Sequence, residues 1–514
     1  MKNVAIGLTA VGLLAAGVCA GGALAGADAD TEAFVKALDL VSGERLLADV
    51  AKLSSPEFNG RQTGSPEDFL SGLYLASQFQ ALGLQPPRAT FMTAHPAESI
   101  PTMTRPVTVT RIEDGPLLQC FLGDQTIQLR PGPDYLPVLD SPSVDVTAPV
   151  VFVGYGLSDP DRGYDDYAGL DVRGKVVLFL RGKPEHYSRP VTHADKEQTA
   201  RRNGAIAYLT ATGPTQSTYE ARRGISGRPS AYYGSAQDDQ ALPGAWIGTE
   251  VAERLLASQG QEGRTLRELQ ELLNRDPAPK SFATHTLVRM KWTSRRAPGT
   301  LYNVLFLLPG SDPTRQEEVV ILGAHRDHFG RQAGLLFAGA DDNASGTAVL
   351  LEVARVLVQS GLKPKRSILF LSFSGEEQGL LGSKLYVSQP VFPLQRTVAM
   401  INVDHAGVGN GRLTVGVTGF DKSEATQAGQ AAGLADKLDL FGFFPGGDHV
   451  PFKEAGVTTI TVVTSGPHPH FHQPSDTADT VQPDLLQTVA RYVLTLTWHL
   501  ADRKNGPMAR GEGR

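Results

Sequence analysis

Four short apolar runs, at 318–322, 367–373, 397–403 and 458–463, punctuate the C-terminal part of the chain, and helical periodicity fills the intervals between them. Alternation of this kind specifies strands laid side by side in one direction, because each crossover helix packs on the pair of strands it connects. The expected fold class is α/β, with a mostly parallel central sheet covered by helices on both faces. The stretch 343–359 is the clearest helix: apolar nearly all round and followed by Gly361, it is expected to be largely buried.

Open α/β sheets bind their ligands beyond the carboxyl ends of the strands. Run 318–322 leads into Gly323-Ala324-His325-Arg326-Asp327-His328, run 367–373 into Ser374-Gly375-Glu376-Glu377, and run 397–403 into Asp404-His405. A fourth group is the loop Gly339-Ala340-Asp341-Asp342-Asn343-Ala344-Ser345-Gly346, whose small residues let backbone pack closely, and a fifth is His468-Pro469-His470-Phe471-His472 after run 458–463. Seven of the 12 histidines fall between His325 and His472. Imidazole and carboxylate without thiolate is the ligand mixture of catalytic rather than structural zinc. Singly, each motif is the composition of an ordinary surface turn; their succession in chain order carries the signal. Asp341 competes with Asp342, and His468 and His470 compete with His472.

The rest of the chain is read more coarsely. At about 150 residues per domain, 514 residues suggest two or three domains. Lys2 followed by an apolar stretch to Ala23-Leu24-Ala25 reads as an export signal, which places the protein outside the cytoplasm, secreted or periplasmic, with no membrane association after cleavage. Only Cys120 then remains, so no internal disulfide forms. A net charge of -6 excludes a nucleic-acid surface. Amphipathic stretches at 31–53 and 68–82 predict helices, and between 140 and 290 short β-rich runs alternate with Gly, Pro and Asp clusters. The expected division is a signal at 1–25, an N-terminal helical part at 26–135, an inserted β-rich module at 136–290, the α/β domain at 291–505 and a flexible tail at 506–514.

Over about residues 298 to 500 these motifs resemble the zinc-dependent aminopeptidases, a family that also includes glutamate carboxypeptidase. Gly60-Arg61-Gln62-Thr63-Gly64-Ser65 is similar to a pattern that often precedes this domain. Gly154-Tyr155-Gly156, Tyr164-Asp165-Asp166-Tyr167 and Gly174-Lys175-Val176-Val177 resemble the protease-associated domain inserted in many secreted peptidases. The resemblance implies two zinc ions per chain: His325 and Asp404 on one, Glu377 and His472 on the other, Asp342 bridging, and Glu376 as general base. It further implies that Asp327 orients His325, that the Asp342-Asn343 peptide is cis, and that Asp448 lies beside the substrate pocket. Where many members have Tyr before the last histidine, this chain has Phe471, which cannot donate a hydrogen bond. The implied activity is hydrolysis of the terminal residue of peptide substrates, with aminopeptidase favoured over carboxypeptidase. A single-zinc glutaminyl cyclase and an inactive binding protein on the same fold are the rival readings, and neither oligomeric state nor side-chain preference is legible.

Overall fold

The computed structural model describes residues 29–503 apart from 88–92, 95–100, 218–219, 222–224, 226, 235–239, 258–263 and 279. The signal expected at 1–25 and the tail expected at 506–514 lie outside the described residues.

The four apolar runs form β1 (Val319–His325), β2 (Ser367–Phe373), β3 (Thr397–Val403) and β4 (Thr459–Thr464), buried at every residue. β1 lies parallel to both β2 and β3, and β3 parallel to β4. Because side chains alternate across a strand, Val320, Leu322, Phe370 and Ile401 enter one core and Val319, Ile321, Leu371 and Met400 the other. This explains why the runs are mostly apolar rather than strictly alternating: both faces are covered. On the first face sit α1 (Gly346–Gln359) and α2 (Pro483–Asp502), with Gly43–Leu53 and Pro66–Ala81 alongside. Short helices Leu381–Ser388 and His449–Glu454 cover the second.

The parallel strands form the centre of a nine-stranded mixed sheet. Strand Ser294–Leu308 pairs antiparallel to β2, and Leu413–Thr418 antiparallel to β4. The helix expected over 31–53 is divided into Ala29–Leu38 and Gly43–Leu53. Ser42 caps the second helix, accepting from Arg45 N at 3.2 Å, while its own N–H donates to the buried Glu352 carboxylate on α1 at 2.8 Å. Among the described residues no helix is long and apolar enough to cross a membrane.

Residues 101–128, inside the segment expected to be helical, are strands. Pro101–Ile112 is rich in β-branched Thr and Val, which suit a pleated surface. It pairs along its length with Ser294–Leu308, from Ile112 opposite Ser294 to Thr102 opposite Val304. The chain leaves the central sheet at the end of this two-stranded stem, builds a second sheet of eight strands between Leu117 and Trp292, and returns along it. Two of its inner strands, Val176–Leu180 and Ala207–Ala211, are buried throughout and run parallel.

Candidate metal centre

β1, β2 and β3 end side by side, so His325, the Glu376-Glu377 turn and Asp404 reach the same edge of the sheet. His325 Nε2 lies 3.4 Å from Asp404 Oδ1 and 3.4 Å from Asp342 Oδ1. The other oxygen of Asp342 faces a different histidine: His472 Nε2 is 3.1 Å from Oδ2 and 3.5 Å from Glu377 Oε2. One carboxylate thus stands between two imidazole–carboxylate pairs.

The loop carrying Asp342 is held from several sides. The amides of Asp341 and Asp342 donate to the two oxygens of Asp476, at 2.8 and 3.0 Å. Asn343 Nδ2 donates to Val403 O at 2.9 Å, tying the loop to the end of β3. The Asp342-Asn343 peptide is cis. Gly346 opens α1 against this knot, where a Cβ would come within 2.4 Å of Asn343 Oδ1 and 2.5 Å of Val403 O, so only glycine fits. Asp341, the neighbour of like chemistry, turns away: its carboxylate accepts from the Gly407 and Val408 amides at 2.8 and 3.0 Å and from His468 Nδ1 at 2.8 Å. His470 is bonded to Ser475 Oγ at 2.9 Å.

The turn after β2 is fixed by Asp327, whose carboxylate accepts from the amides of Glu376 at 3.2 Å and Glu377 at 3.4 Å and from Thr63 Oγ1 at 2.7 Å. The contact of Asp327 with His325 Nδ1 runs through its main-chain oxygen at 3.2 Å, with the carboxylate at 3.7 Å. Its side chain therefore orients the two glutamates as well as flanking the histidine. Burial pushes the Glu376 carboxyl up to about 8, opposed by His325 and reinforced by Asp448 and Asp404. Burial alone would raise Asp342, but His405, His472 and His328 hold it well below the usual carboxylate range.

These groups fit a metal. His325 Nε2, Asp342 Oδ2 and Asp404 Oδ1 are buried without a hydrogen-bond partner, an arrangement that costs about 1–3 kcal/mol per group unless another ligand is supplied. Among the described residues four sets of ligand atoms are close enough to share an ion: His325, Glu376 and Asp404; His328, Asp342 and Glu377; Asp342, Asp404 and His405; and Asp341, His405 and His468. Four carboxylates converging in one buried volume repel each other unless a cation intervenes.

The model of peptidase family M28 matches residues 303–497, and that of the PA domain matches residues 146–255. Residues 303–497 are thus similar to peptidase family M28. The PA match lies wholly before this segment in sequence and falls within the second sheet, whose strands run from Leu117 to Trp292. The chain is 27% identical over 382 residues to a probable glutamate carboxypeptidase of Zea mays, covering 66% of this chain and 50% of that protein. It is 28% identical over 362 residues to aminopeptidase YwaD of Bacillus subtilis, covering 68% of each. The chain therefore spans half the length of the maize relative and about two thirds of the bacterial one. A solved structure of a zinc aminopeptidase from Bacillus subtilis shares the fold, with a TM-score of 0.60 at 21% identity over 91% of this chain and 97% of that one.

The remaining residues singled out in the M28 domain also gather here. Asp448 is fully buried, and burial raises its carboxyl to about 7 against the pull of His325. Phe471 stacks on His472 with ring centres 3.7 Å apart, and its ring lies 5.4 Å from that of His405. Three further residues support the centre. His328 Nδ1 reaches Glu377 Oε1 at 2.7 Å. Asp476 fastens the Asp342 loop. Arg61, buried completely, donates to the carbonyls of Arg326, Ala338 and Gly339 at 2.5, 2.8 and 2.7 Å and joins two loops of the centre. The Gly60–Ser65 pattern marks Arg61 in the sequence, but not its acceptors, which lie 265 to 278 positions away.

Proposed function

We propose that this chain is an exported metallopeptidase that removes the terminal residue of peptides with two zinc ions, acting as an aminopeptidase. The observation that carries the reading is the position of Asp342, one oxygen toward His325 and Asp404 and the other toward His472 and Glu377. His325 and Asp404 would hold one zinc, Glu377 and His472 the other, with Asp342 shared. Export rests on the sequence of residues 1–25, and the choice of zinc on the nitrogen and oxygen donor set together with the named relatives.

Zinc held by these residues would lower the proton affinity of a bound water and polarise the scissile carbonyl. The protein supplies the proton traffic and the orientation. Glu376, unneeded as a ligand in this assignment, takes the proton of the attacking water on its carboxylate and delivers it to the leaving amine. Asp327 holds the backbone of Glu376 and Glu377 in one turn, which lets neighbouring carboxylates serve different ends. Phe471 offers no donor to the tetrahedral oxyanion.

Next to the centre, His405 and His468 form one wall of an open cavity of about 590 Å³ lined also by Phe441, Phe443, Phe444, Pro445 and Val463, with Asp439 and Thr414 among its polar residues. Its lining suits a large apolar side chain on the residue released. Purified protein with zinc should release nitroaniline from aminoacyl-nitroanilides and leave N-blocked dipeptides intact. Activity confined to the blocked substrates would replace the aminopeptidase assignment with a carboxypeptidase one, and cyclisation of an N-terminal glutamine with one zinc per chain would replace both.

A further inference from the structure

We propose that the PA domain is a working part of the metal centre: its segment at 229–231 clasps His472 and fixes which ring nitrogen faces Asp342 and Glu377. This inference deepens the two-zinc reading and rests on it.

His472 is not a comfortable residue. Its φ of 55° lies in the left-handed region, which costs a residue with a Cβ about 1–2 kcal/mol. Such a conformation persists only where the surroundings impose it, and the surroundings here come from the other sheet. The Ala231 amide donates to the His472 carbonyl at 2.9 Å, and His472 Nδ1 is 2.9 Å from the Ala231 carbonyl. Backbone and side chain of one residue are therefore gripped by the two backbone groups of another, 241 positions earlier in the chain. The next residue doubles the clasp, Gln473 Nε2 donating to Pro229 O at 2.7 Å and to Ser230 Oγ at 3.0 Å.

A carbonyl can only accept, so Nδ1 must carry the hydrogen, and in the neutral ring Nε2 is left with the lone pair. That nitrogen is the one 3.1 Å from Asp342 Oδ2 and 3.5 Å from Glu377 Oε2. Phe329 stands edge-on to the ring at 4.7 Å, and Tyr233, two residues beyond Ala231, packs on Phe329. Ala231, Phe329 and Phe337 share one apolar cluster with Leu136 and Leu139, so the clasp is seated on packed residues of both domains. Outer partners of metal-bound histidines typically contribute 10–100-fold to metal affinity. Here that contribution comes from the inserted domain, which makes the zinc site a joint product of two parts of the chain.

The test is made on the full chain with Gln473→Ala, which removes the doubled grip, and Ala231→Pro, which removes the amide of the clasp. Zinc affinity is read by chelator competition, and the cobalt form by its visible absorption, with His325→Ala as the control for the other side. Each variant should hold one metal about 10–100-fold more weakly, keep the second at wild-type affinity and alter the cobalt spectrum, while metal-free Gln473→Ala melts with the wild type. Wild-type affinity for both metals in both variants, with His325→Ala impaired, overturns the positioning role and leaves the two-zinc reading intact. Equal weakening of both metals with a lower melting temperature also overturns it, since the clasp would then be a general support. A wild-type chain that binds no zinc removes the metal reading and this inference together.

Discussion

Replacing Glu376 with Gln tests the division of labour between adjacent glutamates. Gln keeps the size of the side chain and one acceptor oxygen, but it cannot take a proton at neutral pH. The Glu376 amide stays on Asp327 at 3.2 Å, so the turn has no reason to move. Loss of a positioned general base lowers turnover by about 10²–10⁴-fold, which at ~1.4 kcal/mol per tenfold is about 3–5 kcal/mol of transition-state stabilisation. Zinc content should not change, because His325, Asp404, Asp342, Glu377 and His472 all remain. The structure makes this a sharp test, since Glu376 is close enough to His325 and Asp404 to share an ion with them. The assay pairs kcat on a leucyl-nitroanilide with zinc per chain by elemental analysis. A variant that loses an equivalent of zinc makes Glu376 a ligand, and one that turns over like the wild type removes it from the chemistry; either result refutes the reasoning.

Three further perturbations follow from the same geometry. Arg326→Met leaves Asp68 alone in a pair that is fully buried on both sides at 2.8 Å, so stability should fall by about 3–5 kcal/mol in denaturant unfolding; an unchanged midpoint would show that the pair contributes nothing. Asp140, raised to about 6 by burial, is ionised in the folded protein above that pH at a cost that is absent below its ordinary value of 3.8, where both states are protonated. Asp140→Asn should therefore stabilise by up to about 3 kcal/mol at pH 8 and have no effect near pH 3, a trend read from melting curves, and a constant difference across that range would contradict it. The aromatic cavity beside His405 should favour leucyl and phenylalanyl over glycyl substrates by at least about tenfold in kcat/KM, and a preference for acidic residues would rule the cavity out as the side-chain pocket.

Much of the α/β domain is legible because its strands are buried on both faces. Residues 319–325, 367–373 and 397–403 can be apolar at successive positions only in the middle of a covered sheet, and their ends point to where His325, Glu377 and Asp404 lie. The extended stem is less legible. Pro101–Ile112 reads as threonine- and valine-rich chain of no set destination until Ser294–Leu308, nearly two hundred residues later, supplies its partner. The break at Ser42 is hidden for a similar reason: the acceptor that holds its amide is Glu352 on α1, a contact of 310 positions.

The sequence by itself determined the ligand chemistry, the order of the strands that present it and the absence of thiolate. It left Asp341 and Asp342 equivalent, and likewise His468 and His472, since neighbours in a loop point in different directions and composition is blind to direction. In the folded chain their contacts differ. Asp341 is consumed by the amides of Gly407 and Val408, Asp342 is turned inward by Asp476, and His472 is turned inward by a carbonyl of the PA domain. Residue types follow from the chemistry a site needs, whereas the facing of each side chain is decided by hydrogen bonds between segments that meet only in the tertiary structure.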